Sequence, residues 1–434
     1  MFSGTMMVVG GIIGSGIFLN PAIVAQRVGS VKLTLLAWVL GGVIALIGAL
    51  VYAELGSQRP LAGGGYIYLR DGYGRLPAFL YAWTLLLVIA TGAIAAVAVT
   101  FASYTSALLG LGPATRVPLA IGAIVILSAV NYLGVRPGSI TQNVFTLLKL
   151  AALACLIAAG LLAQPSAATT AAAPAQQGGT MLALGAAMVP VLFAYGGWQQ
   201  TNFVAQELIR PEKNLPRALV LGVSIVVAVY LLANLAYLRT LGLAGLAAST
   251  APAADSMEAL LGKPGRTLIA AGIALSTFGF LNLVILVSPR VYQAMAGDGL
   301  FFPSVARLHP RYRTPSGAIL FQGGWAILLT LTGRYGDLLD YVVFGDWIFF
   351  GATAATLFVF RARETGDKSA PVRFRMRGHP AATAIFVLAA VYVVVGSIAS
   401  NPGNALKGTV LILLGIPVFL WWDGRRIRST KQPL

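Results

Sequence analysis

Cysteine occurs once in this chain, at Cys155, and histidine twice, at His309 and His379. One thiol makes no intrachain disulfide and no cysteine zinc cluster. Both histidines stand in or beside basic loops, so no membrane metal site or histidine proton relay is expected, and no cofactor either. Charge is also scarce: 10% of the 434 residues are Asp, Glu, Lys or Arg, where soluble domains carry about 25%. No charged ring, histidine cluster or carboxylate pair falls within the apolar stretches. A channel or a membrane-embedded enzyme would need one of them, so both readings lack support.

What is present is apolar sequence, 58% of the chain, in runs long enough to cross a bilayer at about 20 residues each. The sequence predicts an all-α polytopic membrane protein of about twelve transmembrane helices. They are expected near residues 3–28, 32–56, 76–109, 117–133, 138–162, 181–207, 217–241, 264–296, 315–332, 337–360, 379–400 and 406–422. The formal charge of +17 would suggest nucleic acid in a soluble protein. Here it follows from the positive-inside rule, because most of the basic residues fall in alternate loops and in the tail. No nucleic acid partner is expected, and both termini are predicted inside a cytoplasmic (plasma) membrane. The first apolar segment has no basic lead before it and no convincing cleavage site after it, so it is expected to stay in the protein.

The rest of the chain is organised around Gly10–Pro21, GGIIGSGIFLNP. Glycine in a helix interior costs roughly 1 kcal/mol against alanine, so the first span should break here. Freed backbone groups are tolerated in a bilayer only where they line a cavity or are buried in protein. A second break is offered by Tyr195-Gly196-Gly197-Trp198, five spans later. That spacing predicts inverted repeats within a single transporter domain over 1–434: residues 1–163, then 181–363, with two extra spans over 379–423.

The N–H groups of Ser15, Gly16 and Ile17 would open the outer half-helix, where the macrodipole carries about half a positive charge. Glycine at 14 and 16 lets an anion approach. Carbonyls near Ile12 and Ile13, with those near Phe193, Ala194 and Tyr195, suit an ammonium. One small molecule carries both groups a couple of bonds apart, an α-amino acid. Either glycine cluster alone reads equally well as close helix packing; the pair reads better as a site.

Lys149 lies near the middle of the fifth predicted span with no acidic residue in its own helix. Burying it there costs about 2.5 to 3.5 kcal/mol on insertion scales, which makes it a functional candidate. The first-break carbonyls, Ser276 and Thr277 are its expected acceptors, and its ammonium would occupy the place of a coupling ion. Glu54 and Glu207 fall at predicted inner ends, as gate ion-pair partners or solvated groups. Asp346 lies deeper and is left without an assigned partner. Since only Lys149 is a charged side chain near either break, the cargo is expected to be neutral. Phe18, Phe193, Tyr195, Trp198, Tyr230 and Tyr237 read as gates or as packing. Residues 59–75 are read as an interfacial loop with a short helix, 164–179 as a flexible external loop, 242–263 as short helices at the outer mouth, and 365–378 as a basic inside connection.

GGIIGSGIF at Gly10–Phe18 and FAYGGWQQTNFVAQELIRPEKNLPRAL at Phe193–Leu219 resemble the amino acid-polyamine-organocation superfamily, and within it the L-type amino acid transporters and their bacterial relatives. The resemblance runs from the first break through the twelfth span. It implies a LeuT-like five-plus-five inverted repeat with discontinuous helices 1 and 6, and alternating access. It also implies a substrate carboxylate on Gly14, Ser15 and Gly16, and a substrate amine at carbonyls of Ile12 or Ile13 and of Phe193–Tyr195, extending to Gly196. Phe193 resembles the aromatic lid, Lys149 matches the lysine that replaces the ion in sodium-independent relatives, and YLLANLAY around Tyr230 and Tyr237 resembles the seventh span. Animal members carry an external cysteine between the third and fourth spans; Leu109–Arg116 has none, so no disulfide-linked heavy chain is expected. The chain begins a few residues before the first break, so the inner half-helix is expected to be short.

The leading expectation is thus sodium-independent transport of small neutral L-amino acids across the lipid bilayer, as an exchanger or facilitator. Proton-coupled uptake with Lys149 titrating, or a related amine or polyamine carrier, is the alternative.

Overall fold

Long apolar runs without an external hydrogen-bonding partner must satisfy their own backbone, and helices do this within one segment. The computed structural model describes residues 1–164, 180–332, 335–363 and 374–430, and the regular elements among them are all helical. They begin with α1 (Phe2–Ile12), α2 (Gly16–Val28), α3 (Val31–Gln58), the short α4 (Gly65–Tyr73), α5 (Arg75–Thr84) and α6 (Ala90–Leu108). Then come α7 (Arg116–Tyr132), α8 (Val135–Leu162), α9 (Thr180–Ala194), a 3₁₀ segment (Trp198–Glu207), α10 (Pro211–Ala248) and α11 (Pro252–Val287). The chain closes with α12 (Pro289–Gly297), α13 (Pro303–Ala306), α14 (Ser316–Leu331), α15 (Tyr335–Arg363), α16 (Ala381–Ser400), α17 (Pro402–Leu413) and α18 (Gly415–Thr430).

Among the described residues eight helices are long and apolar enough to cross a membrane, nine if the bent pair α1 and α2 is one span. That pair turns by 43° at the first break. The other expected spans coincide with α9 and its 3₁₀ continuation, with α14 and with α15. The short helix expected within 59–75 is α4. Residues 242–263 are helical as expected, but they continue α10 and begin α11 across left-handed kinks at Gly242 (φ 68°) and Gly262 (φ 65°). Residues 165–179, read as a loop, and most of the basic connection 365–378 lie outside the described residues.

The centre of the molecule is α1 and α2, packed against α8, α9, α10 and α11. A network of charges joins the ends of several helices on one side. Arg361 at the end of α15 holds Glu54 of α3 through Nε at 2.7 Å and Nη2 at 2.8 Å. Arg59 and Arg70 both pair with Asp71 at 3.0 Å, and Arg70 also pairs with Asp298 at 3.0 Å. Arg290 of α12, 1% exposed, pairs with Glu207 at 2.8 Å. Of the two readings open for Glu54 and Glu207, ion pairing is the one observed.

Candidate substrate site

The first break is a turn three residues wide. Ile13 adopts φ −72°, ψ 87°, and Gly14 N–H donates to the Ile12 carbonyl at 2.8 Å, an inverse γ-turn. Ser15 and Gly16 then start α2, whose first amides have no carbonyl of their own helix to donate to. The Ser15 side chain makes no capping hydrogen bond to this end.

The second break ends α9. Pro190, inside that helix, has no N–H for the Ala186 carbonyl four residues back, and the Arg27 guanidinium donates to it instead. Asn20 Nδ2 donates to the Pro190 carbonyl at 2.7 Å, so two side chains of α2 fasten it to α9. The chain leaves the helix through Gly196, whose N–H donates to the Phe193 carbonyl at 3.1 Å, and through Gly197 at φ 109°. The Gly197 N–H is held by Gln199 Oε1 at 3.0 Å. Only glycine serves at 197: the φ is left-handed and a Cβ would run into the Gly11 carbonyl oxygen. A Cβ on Gly16 would likewise stand 2.9 Å from Ala194. The two breaks are therefore in contact, as the pairing of glycine clusters predicts.

Tyr230 of α10 ties them together. Its hydroxyl lies 3.0 Å from the Ile12 carbonyl and 3.2 Å from the Ala194 carbonyl, with its ring against Tyr195 and Trp38. Lys149, fully buried in α8, donates through Nζ to the Ile13 carbonyl at 2.8 Å and to the Gly10 carbonyl at 3.1 Å. Ser276 Oγ reaches the same Ile13 oxygen at 3.4 Å. Thr277 donates instead within its own helix, to Ile273 and Ala274.

Both breaks border one cavity of about 110 Å³, several times the roughly 10–15 Å³ that a single water needs. Its wall takes in Ile12, Gly14, Ser15, Gly16, Phe193, Ala194, Gly196 and Thr277 of the residues singled out from the sequence. Ile13, Ile17, Tyr195, Trp198, Tyr230, Tyr237, Lys149 and Ser276 are buried and do not line it. Trp198 packs between Tyr52, at 4.9 Å, and Phe386, and the Tyr237 hydroxyl is buried without a hydrogen-bond partner among the described residues. Phe193 lines this cavity and also a second, more polar one with Asn20 and Arg27.

Two expectations change. The Ile12 and Ile13 carbonyls, read as acceptors for a ligand amine, already accept from Gly14 and Tyr230, and from Lys149 and Ser276. Lys149 is also not the only ionisable side chain near the breaks, because Asp346 of α15 lies in the cavity wall. The sequence marks Asp346 as a carboxylate within an apolar run but does not give its address. Gln199, Gln200 and Phe280, also in the wall, gave no signal distinct from ordinary packing residues.

A family model described as amino acid permease matches residues 1–421. The chain belongs to the amino acid permease family. It is 34% identical over 441 aligned positions to the large neutral amino acids transporter small subunit 2 of Rattus norvegicus, covering 98% of this chain and 80% of the relative. It is 34% identical to the serine/threonine exchanger SteT of Bacillus subtilis over 426 positions, 97% of this chain and 95% of that one. The b(0,+)-type amino acid transporter 1 of Homo sapiens is 33% identical, with 95% and 85% covered. The resemblance to the L-type transporters read from the two glycine motifs is thereby established. The permease is a multi-pass membrane protein and a transporter rather than an enzyme.

Proposed function

We propose that this permease is a sodium-independent amino acid exchanger working by alternating access in the plasma membrane, with both termini inside. Its twelve spans form a LeuT-like five-plus-five inverted repeat, with the discontinuous helices first and sixth. The observation that carries the reading is that the two breaks touch and border one cavity while Lys149 sits on the carbonyls behind the first. The substrate carboxylate docks on the amides of Ser15, Gly16 and Ile17 at the start of α2, where the helix dipole favours an anion. Its ammonium meets the carbonyls of Phe193 to Tyr195; a carbonyl oxygen has two lone pairs, so the bond that Phe193 or Ala194 already accepts leaves room for another.

Lys149 takes the place of a coupling ion. With its charge fixed to the protein, no ion travels with the substrate, and one amino acid must be traded for another or run down its own gradient. The arginine network closes the side where α3, the 3₁₀ segment and α15 end, which the positive-inside rule assigns to the cytoplasm. The relative named as a serine/threonine exchanger supports the same mode.

The test is counterflow of labelled amino acids into proteoliposomes in sodium-free buffer. Uptake is expected only into vesicles preloaded with amino acid, and unchanged by added sodium. A sodium requirement would remove the role given to Lys149, and equal uptake into empty vesicles would remove exchange.

A further inference from the structure

The breaks address the end that all amino acids share; the rest of the wall must choose among side chains. Most of it is apolar: Leu85, Ile89, Val97, Phe280 and Val284 offer a surface for methylene or methyl groups and reject bare charge. Asp346 is the exception. It is the one ionisable residue in the wall. Glu54, Glu207, Asp71 and Asp298 each have an arginine; among the described residues Asp346 has no ion pair and no hydrogen bond. The ionisable side chains near enough to feel its charge are the phenols Tyr52 and Tyr81, not cations, and Lys149 is engaged with Gly10 and Ile13.

An ionisable group at membrane depth that lacks a partner in its own protein marks a place where a partner arrives from outside. The surroundings fit a cation in a second way. Trp347 and Phe350, one and four residues along the same helix, line the same cavity, as does Phe193. Aromatic faces attract ammonium and guanidinium groups through the ring quadrupole.

We propose that Asp346 is the specificity-determining residue of this cavity and selects amino acids whose side chain ends in a cation, carried on a methylene stem. The inference rests on the reading that the breaks hold the zwitterionic end. It departs from the neutral cargo expected of the sequence, and the pairing it supplies is between a fixed carboxylate and a mobile ammonium.

Lysine and norleucine have the same unbranched stem and differ in the terminal ammonium, so competition between them in counterflow reads the pairing alone. Wild-type protein is expected to favour lysine by at least about tenfold, and Asp346→Asn to reduce the lysine-to-norleucine ratio by a similar factor, as for losing a charge-assisted bond. A wild-type preference for norleucine overturns the proposal without any variant being made. A lysine preference that survives Asp346→Asn overturns the part given to that residue. Counterflow of norleucine, alanine or serine with none of lysine leaves the exchanger standing and removes only this inference; transport of no amino acid at all removes both.

Discussion

Lys149→Met removes an ammonium and keeps a side chain of similar length. Two carbonyls then lose their donor: Ile13 O at 2.8 Å and Gly10 O at 3.1 Å. Bonds from a charged donor contribute about 1.5–3 kcal/mol each, so the pair holds the turn with roughly 3–6 kcal/mol. Against that, the variant no longer buries a charge, a relief of about 2.5–3.5 kcal/mol. The two nearly offset in global stability, and the protein should fold with its thermal transition within a few degrees of the parent. They do not offset locally. The relief is felt wherever the helix is buried, whereas the bonds fix one conformation of the first break. Ser276, at 3.4 Å, is a weak substitute for one of them. If half of the bonding energy, about 1.5–3 kcal/mol, favours the ligand-ready turn, and the parent holds that turn and its alternatives near balance, the competent fraction falls and the apparent half-saturation concentration rises by about 10- to 100-fold. Counterflow titrated over substrate concentration measures this, with detergent-solubilised thermal unfolding as the companion readout. A half-saturation within twofold of the parent, in protein of parental stability, would refute the reasoning and leave Lys149 a packing residue.

Tyr230→Phe deletes the hydroxyl shared by the Ile12 and Ala194 carbonyls and should weaken apparent substrate affinity by about 3- to 10-fold, the worth of a neutral hydrogen bond; unaltered affinity would show that the breaks hold together without it. Gly197→Ala forces a Cβ into the Gly11 carbonyl at a left-handed φ, a strain of at least about 1–3 kcal/mol from the backbone alone. It should lower the thermal transition and abolish counterflow. Gly122→Ala, in α7 with open space at its Cβ, should stabilise by up to about 1 kcal/mol through helix propensity. Arg361→Met leaves Glu54, 0% exposed, with Gln58 and the Met376 amide as its remaining donors, and should destabilise by about 3–5 kcal/mol. Arg361→Met,Glu54→Gln should recover much of that loss in the same unfolding assay.

The breaks were legible because glycine is conspicuous inside an apolar run: Gly14 and Gly197 advertise an interruption whatever surrounds them. Lys149 was legible for the complementary reason, a charge where none is cheap. Asp346 raised the same alarm, yet its address was hidden, since a single carboxylate on a helix faces the bundle or the cavity depending on a rotation that only packing fixes. Tyr230 against Tyr237 was undecidable for the same reason. Seven residues apart, the two lie close in rotation on one helix, and what separates them is height relative to the breaks. The carbonyls misled most. Unpaired in the sequence, Ile12 and Ile13 found donors on α10, α8 and α11, far away along the chain.

Phe193 borders both the inner cavity and the polar one beside Asn20 and Arg27. Swinging one ring is a rotamer hop, fast and cheap. Parting α3 from α15, or α12 from the 3₁₀ segment, means opening the Arg361–Glu54 fork or the Arg290–Glu207 pair while whole helices shift, a task of microseconds to milliseconds. In the proposed alternating-access cycle the two doors would keep different clocks, and the slower one would set how often a cargo gets through.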